Sequence, residues 1–350
     1  MVDWFLAQRL ARSVAGEPDT PPPRADLGAL ATDSAERVVA YTGLTPARAL
    51  PAAEWVGRAE WIAANVGSMR ALLDPPLSRV GQGLGAARHA MRLGAGVVLT
   101  AEVGVVLGFL AQRVLGQYEL VLLDTTPEDR PPRLLFVLPN LAAAGRAFGA
   151  DEREFLHWVA LHEVTHAVQF AGVPWLQPHM AAMVRELLSH AELRIDTRRA
   201  LRMPSRDDLE RLTAAVRGGD LISLVASERE RATLERMQST MAVLEGHAEH
   251  VMDAVGAPLL PSLPRLRAAL EARRRSQSAP ARLLARLLGL EMKLRQYEQG
   301  KRFCDAVVRE AGVEALNRVW EGPELLPSSA ELDAPRRWLE RTGVPRRLSA

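Results

Sequence analysis

Only one cysteine, Cys304, occurs among 350 residues, which excludes an internal disulfide and any cysteine-rich metal site. A metal ion must then be held by histidine and carboxylate, and the cytoplasm is the expected compartment. Lysine is nearly as scarce: Lys293 and Lys301 are the only two among 44 basic residues. With 42 acidic residues the formal charge is +2, so the concentrated positive field that nucleic-acid binding requires is missing. No nucleic-acid partner is expected. The amino terminus, MVDWFLAQRLARSV, lacks a basic start, a clean apolar centre and a small-residue cleavage site, and reads as a first helix rather than a secretory signal.

Long uncharged apolar runs are also missing. The nearest approach is residues 93–111, LGAGVVLTAEVGVVLGFLA, which carries a small-residue pair at Gly104 and Gly108. Glu102 sits at its centre, where a carboxylate costs about 2.5–3.5 kcal/mol on membrane-insertion scales. Several glycines weaken the helix further. A buried core helix is expected here, and no membrane association.

Half of the chain, 48%, is apolar, enough to bury a sizeable core. A proline-rich break, PDTPPPR, follows the first helix, and helical patterns resume through TPARALPAAEWVGRAEWIAANVGSMRALL, so residues 1–80 read as a helical amino-terminal region. Trp55 and Trp61 read as core. Two short β-rich runs, QYELVLLD and RLLFVLPN, flank the turn-forming TTPEDRPP and read as neighbouring strands. From there the pattern is almost wholly helical, with breaks at residues 204–208, 256–264 and in ARRRSQSAPAR. The fold class expected is α+β and predominantly helical, with a small sheet, and residues 81–345 form the region that carries the chemistry.

That chemistry centres on DEREFLHWVALHEVTHAVQFAGVP. Asp151 with Glu154 makes a capping-box start and Gly172 with Pro174 a stop. Inside this helix His162 and His166 lie four apart, on one side, about 5–6 Å between Cβ atoms, so both imidazoles can reach one ion. Glu163 lies one step round the helix, placed to act as general base on a metal-activated water. The apolar neighbours Val159, Ala160, Val164, Ala167 and Val168 suit a core helix with one polar seam. A hydrolytic zinc needs a third protein ligand and one open position. Seven of the eight histidines fall between residues 157 and 250, and LEGHAEHVMD places Glu245 and Glu249 on one helical face, so that either acid can bind metal while the other holds a ligand histidine. Two imidazoles and a carboxylate favour zinc.

HEVTHAVQF and LEGHAEHVMD resemble the gluzincin branch of the zincin metallopeptidases, where a helix bearing H-E-x-x-H is followed by a second helix bearing a glutamate ligand. Together with KLRQYEQGKRF they are similar to a family of actinobacterial zincin-like proteins, first catalogued as a domain of unknown function. Some of its members carry a label of association with coenzyme F-420 biosynthesis. The resemblance runs from about Trp55 to Trp338. It implies a zincin-like core, zinc as cofactor, a peptide or protein substrate, Glu245 as the third ligand and Glu249 as the acid behind a ligand. Seventy-nine positions separate His166 from Glu245, more than in compact relatives, so helices between them must fold outward or over the cleft.

An oxyanion formed by water attack needs a donor besides the metal. Tyr297, in KLRQYEQGKRF, is the candidate, with His247 and His250 as alternatives. RLLFVLPN resembles the edge strand along which zincins pair extended peptides. Cys304 reads as a small core residue. The reading is a zinc-dependent hydrolase of peptide bonds. A zinc-braced, non-catalytic partner in cofactor biosynthesis is the alternative from another class, and Glu163 argues against it, because a structural zinc closed by four side chains has no use for a base.

Overall fold

A computed structural model describes residues 2–21, 23–79, 87–119, 131–193, 228–275 and 290–344. For 72–73, 75–79, 87–95, 189–193, 273–275 and 290–297 only the backbone is described. Among these residues the chain is predominantly helical with one small sheet. It divides into two compact units, Met1–Pro174 with Val251–Arg275, and Trp175–His250 with Ser276–Ala350.

The first unit holds helices α1 (Trp4–Ala15), α2 (Leu27–Thr42), α3 (Arg58–Arg79), α4 (Ala87–Ala111), α5 (Leu138–Phe148), α6 (Glu152–Gly172) and a later α9 (Leu263–Arg275). Its strands are β1 (Ala53–Val56), β2 (Gly116–Glu119) and β3 (Arg133–Val137), ordered β1-β3-β2. β1 runs parallel to β3, with Trp55 opposite Phe136, and β2 runs antiparallel, with Gly116 opposite the same Phe136. The two runs read as neighbouring strands do pair, though β2 begins at Gly116 and residues 120–130 lie outside the described ones.

Two expectations are corrected here. β1 falls inside the stretch read as helical, where Trp55 meets Phe136 edge to face at 6.2 Å. The strand RLLFV is central rather than an edge, and Leu138–Asn140 already belong to α5. The physical reason stands in its pairing. β1 pairs along one side of RLLFV and β2 along the other, which leaves no open edge there, and its continuous apolar run is matched by cover on both faces. Leu134 and Phe136 pack with α2 and α6, while Leu135 and Val137 pack with α1, α3 and α4. Each such side chain contributes about 1.5–3 kcal/mol by leaving water.

The apolar run at 93–111 lies in α4, packed on one side. Val103, Leu107 and Ala111 are buried, whereas Val97 is 64% exposed and Glu102 is exposed as well. Gly104 and Gly108 let α1 approach closely: a Cβ on Gly104 would stand 2.8 Å from the Ala7 carbonyl oxygen, and one on Gly108 2.7 Å from that of Ala11. The small-residue pair thus serves a helix crossing within the chain. No helix among the described residues is long and apolar enough to cross a membrane.

The second unit contains α7 (Leu176–Leu193), most of α8 (Glu228–Gly256), α10 (Leu290–Ala311), α11 (Val313–Asn317), α12 (Ser329–Asp333) and α13 (Pro335–Arg341). Residues 194–227, which hold much of the long interval before Glu245, and 276–289 lie outside the described ones. Trp338 is fully buried against Phe303 at 5.4 Å and donates its indole N–H to the Leu325 carbonyl at 2.7 Å. α8 and α10 cross backbone to backbone. A Cβ on Gly246 would overlap the main chain of Gly300, and one on Gly300 the main chain of Ala242. Cys304 is buried in α10, as expected, and burial pushes its thiol pKa well up.

Candidate metal centre

Helix α6 starts where the sequence places it, with the Asp151 side chain accepting from the Glu154 N–H at 2.9 Å. The reciprocal half of the expected capping box is replaced. The Glu154 carboxylate instead accepts from the Ser262 N–H at 3.0 Å and from the Ser262 hydroxyl, because a tertiary donor offers two bonds where the N-cap backbone offers one. The helix is buried along most of its length, as an element apolar on nearly every side must be.

His162 and His166 are half-buried on it, their rings 4.8 Å apart between centroids and nearly perpendicular at 87°. Behind His166, Nδ1 lies 2.9 Å from Oε1 of Gln169, a residue with no exposed surface. An amide oxygen only accepts, so the proton belongs on Nδ1 and the lone pair on Nε2. Glu163 is buried, and its Oε2 accepts the Tyr118 backbone N–H of strand β2 at 3.2 Å. Tyr118 is itself fixed by stacking on Phe170, 5.7 Å away and 19° from parallel.

In the second unit, helix α8 presents LEGHAEH with Gly246, His247 and Ala248 buried and Glu245 and Glu249 half-buried. The His247 ring meets Trp320 edge-on at 5.1 Å. His250 donates through Nδ1 to Asp305 at 2.7 Å, and Lys301 reaches the other oxygen of Asp305 at 2.5 Å. Burial pushes the Asp305 carboxyl up, but these two hydrogen bonds outweigh it and hold its pKa below the ordinary value. A carboxylate whose folded pKa is depressed stabilises the fold above its unfolded pKa of about 3.9, and that stability is lost as pH falls through the folded value. Asp305→Asn is therefore expected to lower the melting temperature at pH 7, and the gap to the parent protein to narrow below about pH 4. Melting curves at pH 7 and 3.5 check this.

One ligand atom from each of His162, His166 and Glu245 lies within 4.8 Å of the others, and these three could hold a metal ion. Glu249, one turn further along α8, is not of the three. The donor set suits zinc: two imidazoles, one of them with its tautomer set from behind, and one carboxylate. Tyr297 stands on α10 with its side chain outside the described residues. Sequence reasoning missed Gln169, although its place three residues after His166 puts it on the same face of the helix. It also missed Gly116, Tyr118 and Asp305, which are brought in from other elements and leave no local signal.

The family model described as zincin-like metallopeptidase matches residues 2–339. The chain belongs to this family. Among solved structures it is similar to a protein from Chloroflexus aurantiacus, described as a candidate hydrolase with a novel fold, at 29% identity and a TM-score of 0.71. That match covers 98% of this chain and 99% of the other. No curated protein matches. Membership of the zincin-like metallopeptidases accords with the α+β, mainly helical architecture and with a group of His162, His166 and Glu245 that could hold a metal ion.

Proposed function

We propose that the chain is a zinc-dependent hydrolase of peptide bonds in which His162, His166 and Glu245 hold the ion and Glu163 is the general base. The observation that carries this reading is the convergence of three ligand atoms within 4.8 Å, with a buried carboxylate one residue from the first of them. When bound, zinc supplies Lewis acidity that draws the pKa of water towards about 7. The Glu163 carboxylate takes the proton of the attacking water and delivers it to the leaving amine nitrogen. The Tyr118 N–H holds Oε2 and so fixes the plane in which that carboxylate works. Gln169 holds the His166 ring in the tautomer that offers Nε2. Tyr297 is the proposed donor to the oxyanion, and Glu249 the acid behind the ligands. A peptide or protein is the proposed substrate class, and the description of the Chloroflexus protein as a candidate hydrolase agrees with it. The cytoplasm is the proposed location.

Elemental analysis of the purified protein tests the metal assignment. About one zinc per chain is expected, falling at least tenfold in occupancy in His162→Ala and in Glu245→Ala, since loss of a ligand costs more than the 10–100-fold that loss of a group behind one does. Full metal content in Glu245→Ala would remove that residue from the centre.

A further inference from the structure

Gly116 stands in β2 opposite Phe136, and its φ is not positive, so any L residue could adopt its backbone. Gly116 opens β2, and a glycine in a strand commonly marks a place where another group comes close. Here the group is identifiable. A Cβ built on Gly116 would stand 2.6 Å from Cγ of Glu163, 2.9 Å from Cδ and 3.0 Å from Oε1, and these three atoms of one side chain are its nearest neighbours. Two residues along the same strand, the Tyr118 N–H binds Oε2 of that carboxylate.

We propose that Gly116 is a positioning residue for the general base: the missing side chain leaves a seat on β2 into which the Glu163 carboxyl group lies, against the strand backbone. The proposal rests on the hydrolase reading for its catalytic consequence, but the contact itself does not. The three atoms that a methyl group at residue 116 meets first all belong to a flexible side chain, and none is backbone. The sheet therefore survives while Glu163 has to turn away, and the bond from Tyr118 goes with it. Neither histidine of the pair supplies any of the three atoms nearest to that methyl, so zinc content is expected to hold.

The test is a pair of double-mutant cycles. In the first, melting temperatures are read for the parent, Gly116→Ala, Glu163→Ala and the double variant, without substrate. Gly116→Ala is expected to lower the melting temperature of the parent and to leave unchanged or raise that of Glu163→Ala; equal shifts in both backgrounds overturn the contact. In the second, turnover of fluorescein-labelled casein is followed with zinc content measured alongside. Gly116→Ala is expected to lower kcat about 100-fold, the scale of an ångström's misplacement of a catalytic group, with KM within about threefold and zinc unchanged. It should lower nothing further in a Glu163→Gln background. Unchanged kcat in Gly116→Ala, with the thermal coupling present, overturns the positioning role. Full activity of Glu163→Gln alone would instead show that Glu163 is not the base, and no turnover by the parent protein would defeat the hydrolase reading; in either case the thermal cycle judges the contact by itself.

Discussion

Glu163→Gln is expected to keep its metal and its melting temperature while kcat falls by about 10²–10⁴, the range that a positioned general base supplies. The variant isolates the proton from the shape. Glutamine has the same length and branching, so it occupies the same seat beside Gly116, and its amide oxygen still accepts the Tyr118 N–H. What it loses is the capacity to take a proton from water and hand it on. Casein turnover at pH 7 with metal content determined on the same preparation separates the outcomes. Turnover like that of the parent would show that Glu163 is not the base, whereas loss of metal along with activity would show that it helps to hold the ion. The contrast with His162→Ala is the informative one, since there metal and turnover should vanish together.

Gly300→Ala is expected to be the most damaging of the single substitutions for the fold. At Gly116 the obstacle is a movable side chain, whereas at Gly300 it is the Ala242 main chain, and the reciprocal position, Gly246, faces the main chain of Gly300. Two helices in backbone contact cannot relax by changing a rotamer. They must move apart, and the shift opens the packing of Phe303, Val307 and Leu316 around them. Overpacking costs about 1–3 kcal/mol and occasionally more, and this site belongs at the upper end. For a unit of this size that corresponds to a fall in melting temperature of about 6–12 °C. Glu298→Ala, at an exposed position of the same helix, should stay within about 0.5 kcal/mol of the parent. Because Glu245 precedes Gly246, Gly300→Ala should also lose metal. A folded variant with full metal content would mean that the crossing is looser than the glycine pair implies.

The parts legible in the sequence are those encoded locally. The helix of His162, Glu163 and His166 shows its start through Asp151, its end through Gly172 and its spacing through the four-residue repeat of histidine, all inside one element. Glu245 was within reach because a second acidic and histidine cluster stands alone late in the chain, and the ligand-atom grouping includes it and not Glu249. What was not legible depends on pairing between distant segments. The central position of β3 depends on its pairing with β1, far earlier in the chain, and with β2, whereas its unbroken apolar run speaks only for cover on both faces. β1 leaves no local mark because Ala and Glu around it outweigh a four-residue strand in any short window. Gly116, Gly246 and Gly300 are conspicuous only once the atoms they make room for are known. Glycine states no partner in its own neighbourhood.

A consequence of the two-sided burial of β3 concerns how disturbance spreads. Four consecutive residues, Leu134 to Val137, feed alternate side chains into opposite packing layers, so the segment is the shared wall of two rooms. Pressure on that wall from the side of α1, α3 and α4 is felt on the side where α6 lies, with no hinge or loop between to absorb it. The amino-terminal helices are therefore part of what keeps the histidine pair still, although none of their side chains needs to come near an ion.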